Sequence, residues 1–156
     1  MATMAHNPIN HPLRPLYRLL ALLAGAYLVV FGVVGLIVSS GAGLLDRPDD
    51  RILGQGANML WSIVSLIFGA VVLLASLTPR NLGNQVQWLG GWTLLVIGSY
   101  ELATSRTDAN FLKFTIATVV VTYLVGLALV LAGLYTKVGA DEHAGAPRQV
   151  REGRTA

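Results

Sequence analysis

Four stretches of this 156-residue chain run through apolar residues almost without interruption: Leu16–Val38, Met59–Leu77, Val86–Ala103 and Phe114–Tyr135. Crossing a hydrocarbon core of about 30 Å takes about 20 helical residues. Lipid offers the backbone no hydrogen-bond partner, so a segment of this length in a bilayer must satisfy itself as a helix. The pattern predicts an all-α integral membrane four-helix bundle over residues 16–138. It lies between an N-terminal tail (1–15) and a C-terminal tail (139–156) that mixes Gly, Ala, Pro and charge without apolar period and reads as disordered. The first apolar run, behind Arg14 and Arg18, exceeds the roughly 7–15 residues of a cleavable signal and is expected to stay as an anchor.

Polar residues at the ends of the runs predict how each helix starts and how the chain is oriented. Pro15 suits a first turn, Pro79 a stop after the second helix, and Asn84 with Gln87 a capping box opening the third. Asp108 or Asn110 is expected to cap the fourth. With both termini cytoplasmic, Arg14, Arg18, Arg80, Lys137, Arg148, Arg151 and Arg154 lie inside, and only Arg47, Arg51, Arg106 and Lys113 outside. The positive-inside rule favours this N-in, C-in arrangement in a bacterial plasma membrane. Tyr17, Trp88, Trp92 and Tyr135 then fall near the inner interface and Trp61, Tyr100, Phe111 and Phe114 near the outer one, where aromatic rings anchor spans.

Small residues recur every seven positions: Gly25, Gly32 and Ser39; Ser62, Gly69 and Ser76; Gly91 and Gly98; Gly126 and Gly133. Ser65 and Thr122 add small-xxx-small pairs with Gly69 and Gly126. Such faces let helix backbones approach closely where lipid removes the hydrophobic drive for association, and they are expected to line the bundle interior or a subunit interface. Shifting the third helix onto the first by 66 residues matches Gly91 with Gly25 and Gly98 with Gly32, and a shift of 57 matches Gly126 with Gly69 and Thr122 with Ser65. A duplicated helical hairpin predicts these matches; chance alignment of Leu, Val and Gly gives many of the same.

Composition narrows the chemistry. With 54% hydrophobic and 12% charged residues, little sequence remains for a soluble domain, and the net charge of +3 sits beside spans, where it meets headgroups rather than nucleic acid. There is no cysteine, so disulfides and thiolate chemistry are excluded. His6, His11 and His143 lie outside the spans, where they cannot ligate a haem in the bundle; no cofactor or metal site is expected. The stretch Asp46–Arg51 lacks the spacing of a calcium loop and reads as a solvated turn. Glu101 is the one ionisable residue near membrane depth, a functional candidate by that fact alone. With Thr104, Ser105 and Arg106 next to it, the expectation is an interfacial carboxylate, hydrated or paired with Arg106 or Arg51.

Several segments taken together carry a likeness. These are His11–Arg18 running into Phe31–Leu36, Gly56–Asn58 ahead of the second helix, Arg106–Leu112 ahead of the fourth, and its close, Ala132–Gly139. The chain resembles, over roughly residues 10–139, a family of small four-span actinobacterial membrane proteins, a domain-of-unknown-function family. The resemblance implies a four-helix membrane protein and supplies no substrate, cofactor or catalytic residue. The function expected from the residues is that of a non-enzymatic membrane protein, an accessory or assembly subunit or a homo-oligomer, whose partners are the lipid bilayer and another membrane protein or itself. The alternative is a small oligomeric transporter or channel with an outer polar site at Asn58, Glu101 and Arg106.

Overall fold

The structure, a computed structural model, describes residues 8–78 and 81–139. Four helices account for most of them: α1 (Arg14–Val38), α2 (Met59–Leu77), α3 (Leu82–Thr104) and α4 (Ile116–Tyr135). His6, His143, Pro79, Arg80, Arg148, Arg151, Arg154 and the tail from residue 140 onward lie outside the described residues. α1, α2 and α4 are long and apolar enough to cross a membrane. α3, with 23 residues, reaches about 34 Å at the helical rise, but polar Asn84, Gln85, Gln87 and Glu101 interrupt its apolar run.

Two expected helix starts differ from those observed. α3 opens at Leu82, four residues earlier than the apolar run, so Asn84 and Gln87 lie inside the helix and form no capping box. Both are drawn into the bundle: Asn84 donates to the Gly133 carbonyl, and Gln87 donates to Ser76 Oγ while accepting from Thr136 Oγ1, each at 2.9 Å. Interior partners at the ends of α2 and α4 outcompete the local turn. α4 is capped by neither Asp108 nor Asn110 but by Thr115, in a capping box with Thr118. Asn110 instead clamps Phe114, accepting from its N–H and donating to its carbonyl. Pro15 does occupy the first turn of α1.

The helices form a ring in chain order. α1 packs intimately on α2 and α3 on α4, whereas the seams α2–α3 and α1–α4 are much thinner. Glycine sets the depth of each hairpin. A Cβ on Gly69 would stand 2.8 Å from the Gly25 carbonyl oxygen and 2.7 Å from the Val29 nitrogen. In the other hairpin a Cβ on Gly126 would stand 3.1 Å from the Gly91 carbonyl oxygen, and one on Gly91 2.6 Å from the Gly126 carbonyl oxygen. Gly25/Gly69 and Gly91/Gly126 correspond under the residue shifts read from the sequence, so the same backbone contact recurs in both halves.

The recurrence extends to the end that carries the termini. Arg18 donates to the Ser76 carbonyl at 2.8 Å, and Asn84, its counterpart, donates to Gly133, the counterpart of Ser76. Arg14 reaches the Thr136 carbonyl at 3.2 Å. These donors satisfy last-turn carbonyls that have no partner within their own helix, and the guanidinium charges sit at the negative ends of helix dipoles. Tyr17 stacks on Tyr135 beside them, ring centroids 4.7 Å apart.

Outward, each helix presents large apolar side chains, among them Leu23, Ile37, Ile67, Leu74, Leu89, Val96 and Leu124. A bundle small and close-packed within and apolar without suits a lipid solvent. Replacing Gly69 by Ala forces a methyl against backbone atoms that cannot rotate away. The variant is expected to be destabilised by about 1–3 kcal/mol, seen as a lowered unfolding temperature in detergent. Gly41→Ala, where a methyl meets nothing within 4 Å, is expected to leave that temperature unchanged. Equal unfolding temperatures for the two variants would contradict the packing argument.

Candidate functional site at the loop end

The loop joining α1 to α2 and the loop joining α3 to α4 interlock into a crown over one end of the bundle. Ile52 and Gln55 exchange two backbone hydrogen bonds of 2.9 Å across Leu53 and Gly54, both at positive φ (50° and 79°). This is the backbone of a tight hairpin turn, which glycine adopts freely and leucine only under constraint. The turn buries Ile52 completely and brings Gln55 onto the Tyr27 hydroxyl.

Asn58 pins the crown to the helices. Its Oδ1 accepts from the Trp61 N–H at 3.0 Å, capping α2. Its Nδ2 donates to the carbonyls of Phe111 (2.7 Å) and Leu45 (3.4 Å). Thr118 Oγ1 donates to the Gly56 carbonyl at 2.6 Å, Gly56 N–H to Thr115 Oγ1 at 3.1 Å, and Arg47 to the Lys113 carbonyl at 2.8 Å. Trp61 and Phe114, expected as interface anchors, are buried and meet edge to face with centroids 4.9 Å apart.

Glu101 departs from expectation. Near the crown end of α3 it has 0% exposure, and neither carboxyl oxygen has a hydrogen-bond partner. It pairs with neither Arg106, which is exposed, nor Arg51. The groups that face it come from the α3–α4 loop: the amides of Leu112 and Phe114 and the Lys113 ammonium. The Phe114 N–H is already engaged by Asn110. The local reason for the burial is that Leu112 and Phe114 fold inward over the end of α3 and cover the position that the sequence leaves at the surface.

Beside Glu101 the thin α2–α3 seam opens into a cleft of about 450 Å³, lined by Leu60, Trp61, Val64, Val96, Ile97, Tyr100, Glu101, Phe111 and Leu112. Trp61, Leu112 and Glu101 are buried and make its floor; Val64, Val96, Tyr100 and Phe111 are exposed and make its rim. Tyr100 turns its hydroxyl to the Ala109 carbonyl, leaving its ring beside that of Phe111, centroids 5.9 Å apart. Asn58 and Arg106 are not among the walls of this cleft. The nine packing residues, Gly25, Gly32, Ser65, Gly69, Gly91, Gly98, Thr122, Gly126 and Gly133, are all buried.

Sequence reasoning missed the role of Gln87, which ties the last turn of α2 to the C-cap residue of α4, and that of Asn110, which shapes the loop over Glu101. An amide in an apolar run opposite Ser76 and Thr136 was the available signal for the first. For the second there was none, since its partner is the backbone.

A family model described as a domain of unknown function (DUF4383) matches residues 18–135. No curated protein and no solved structure matches the chain.

Replacing Asn58 by Asp keeps the oxygen that caps α2 but removes the two donations to Leu45 and Phe111 and sets a charge against their carbonyls. The variant is expected to lose about 1–3 kcal/mol of crown stability, read as faster amide hydrogen exchange across residues 110–115. Exchange at the wild-type rate would show that Asn58 acts on α2 alone.

Proposed function

We propose that this chain, which belongs to the DUF4383 family of unknown function, is a non-enzymatic integral membrane protein that works through contacts within the bilayer, as an accessory or assembly subunit or as a homo-oligomer. In this reading α3 is the fourth span and both termini are cytoplasmic, in a bacterial plasma membrane. Arg14 and Arg18, at the end of the bundle that carries the termini, agree with the positive-inside rule.

The observation that carries the proposal is how the buried polar groups are used. Ser62 bonds to the Asn58 carbonyl, Ser76 to Val72, Thr136 to Ala132 and Gln87, and Thr118 to Gly56. Polar groups spent on helix ends and loops do not line a route between the two sides. At the centre, among Tyr27, Phe31, Gln55, Leu94 and Thr122, the free space is about 10 Å³, room for about one water molecule. What such a bundle offers to other molecules is its apolar flanks and its crown, where Leu44, Leu45 and Leu53 are exposed.

The runner-up reading, a small oligomeric transporter, draws on one observation, the buried and unpartnered carboxyl of Glu101.

Isolated from its own membrane in mild detergent, the protein is expected to migrate as a stoichiometric complex with another membrane protein or as a homo-oligomer, identified by mass spectrometry and size analysis. Glu101→Gln is expected to leave that assembly intact. A solitary monomer, together with a vesicle flux that Glu101→Gln abolishes, would move the weight to transport.

A further inference from the structure

We propose that the α2–α3 cleft is a binding site for an amphiphilic cation, an apolar body carrying a protonated or quaternary amine. This stands whether the chain acts as a subunit or alone.

Three features converge on that chemistry. First, a carboxyl buried to 0% exposure with both oxygens unpartnered is costly in an apolar setting unless something supplies a compensating charge or donor. Lys113 and the amides of Leu112 and Phe114 face it from the loop, but none bonds to it with hydrogen-bond geometry. Second, the walls beside Glu101 are otherwise apolar or aromatic: Trp61 in the floor, Tyr100 and Phe111 at the rim. Tyr100 has already committed its hydroxyl to Ala109, so what it can offer is its ring. Rings lining a cleft with a carboxyl just behind its wall form a setting in which an ammonium group can be held, through the attraction of a cation to an aromatic face. Third, the volume of about 450 Å³ lies in the range that holds a small molecule.

The extent of the cleft argues against a partner helix as occupant. On α2 the walls run from Leu60 to Val64 and on α3 from Val96 to Glu101, a rise of only about 6–8 Å. Phe111 and Leu112 close the crown end. A helix lying along the seam needs a groove several turns long, whereas a headgroup and the start of its chain fit this one. The exposed rim residues Val64 and Val96 open sideways between the helices, so a ligand dissolved in the bilayer enters without passing through water. Binding then requires the Glu101 side chain to swing from beneath Leu112 toward the ammonium, a rotamer change rather than a rearrangement of helices.

The chain has three tryptophans, and replacing Trp88 and Trp92 by Phe leaves Trp61 as the reporter in the floor. The full-length protein in uncharged detergent is titrated with dodecyltrimethylammonium and, separately, with dodecanol. The expected result is a saturable change in Trp61 emission with the cation only, weakened at least tenfold by Glu101→Gln. Val96→Phe, at an exposed position of the rim, keeps Glu101 and the fold and is expected to weaken binding by narrowing the mouth; it carries the test if Glu101→Gln does not fold. Equal responses to cation and alcohol, no saturable response, or a cation response unchanged in the variant that folds would each overturn the proposal. So would crosslinking of a lone cysteine at Val64→Cys to a membrane polypeptide in native membranes, which would make a partner helix the occupant.

Discussion

The structure depends on backbone touching backbone in the middle of each hairpin. In water, burying side chains would drive these helices together. In lipid the flanks are already in an apolar solvent, and association rests on van der Waals contact and interhelical hydrogen bonds. Dispersion falls off steeply with distance, so the closest approach counts most. Gly25 against Gly69 and Gly91 against Gly126 provide it. The exposed leucines and valines on the outer faces can then vary without disturbing the contact that holds each pair.

With the middle held by small residues, specificity passes to the two ends, where polar groups are affordable. At the end with the termini, Arg14, Arg18 and Asn84 satisfy last-turn carbonyls of α2 and α4. Gln87 is shared between Ser76 and Thr136. At the crown, Asn58 and Thr118 bond to loop carbonyls. Side chains of one helix thus complete the backbone of another. The register of the four helices is set by hydrogen bonds at the two ends and by contact distance between them.

The helices and their packing faces were legible in the sequence because both have periodic signatures: long apolar runs and glycines seven apart. Where each helix begins was less so. Asn84 and Gln87 carry the spacing of a cap, but partners distant in sequence outbid the local turn, and no local pattern records such partners. The cap of α4 by Thr115 lay one residue inside the predicted span, behind two more conventional candidates. The burial of Glu101 was hidden for a related reason. Its neighbours Thr104, Ser105 and Arg106 describe the helix end as wet, and only the path of the loop through Leu112 and Phe114 encloses it. The cleft is less legible still, for it exists where two helices fail to meet closely, and a sequence shows attraction better than it shows a gap.

The repeat between the two halves makes the cleft's surroundings informative. Under the same shifts Glu101 corresponds to Gly35 and Ile97 to Phe31. On α1, Phe31 is buried, and a Cβ at Gly35 would collide with Ser62 of α2 and with Ile52 of the loop before it. At this position one half carries a carboxyl beside a cleft and the other a glycine pressed against α2. The two hairpins repeat the same close contact, yet the bundle has a front and a back. Anything that recognises the cleft meets the protein from a single compass direction, so neighbours can be arranged around it in a definite order.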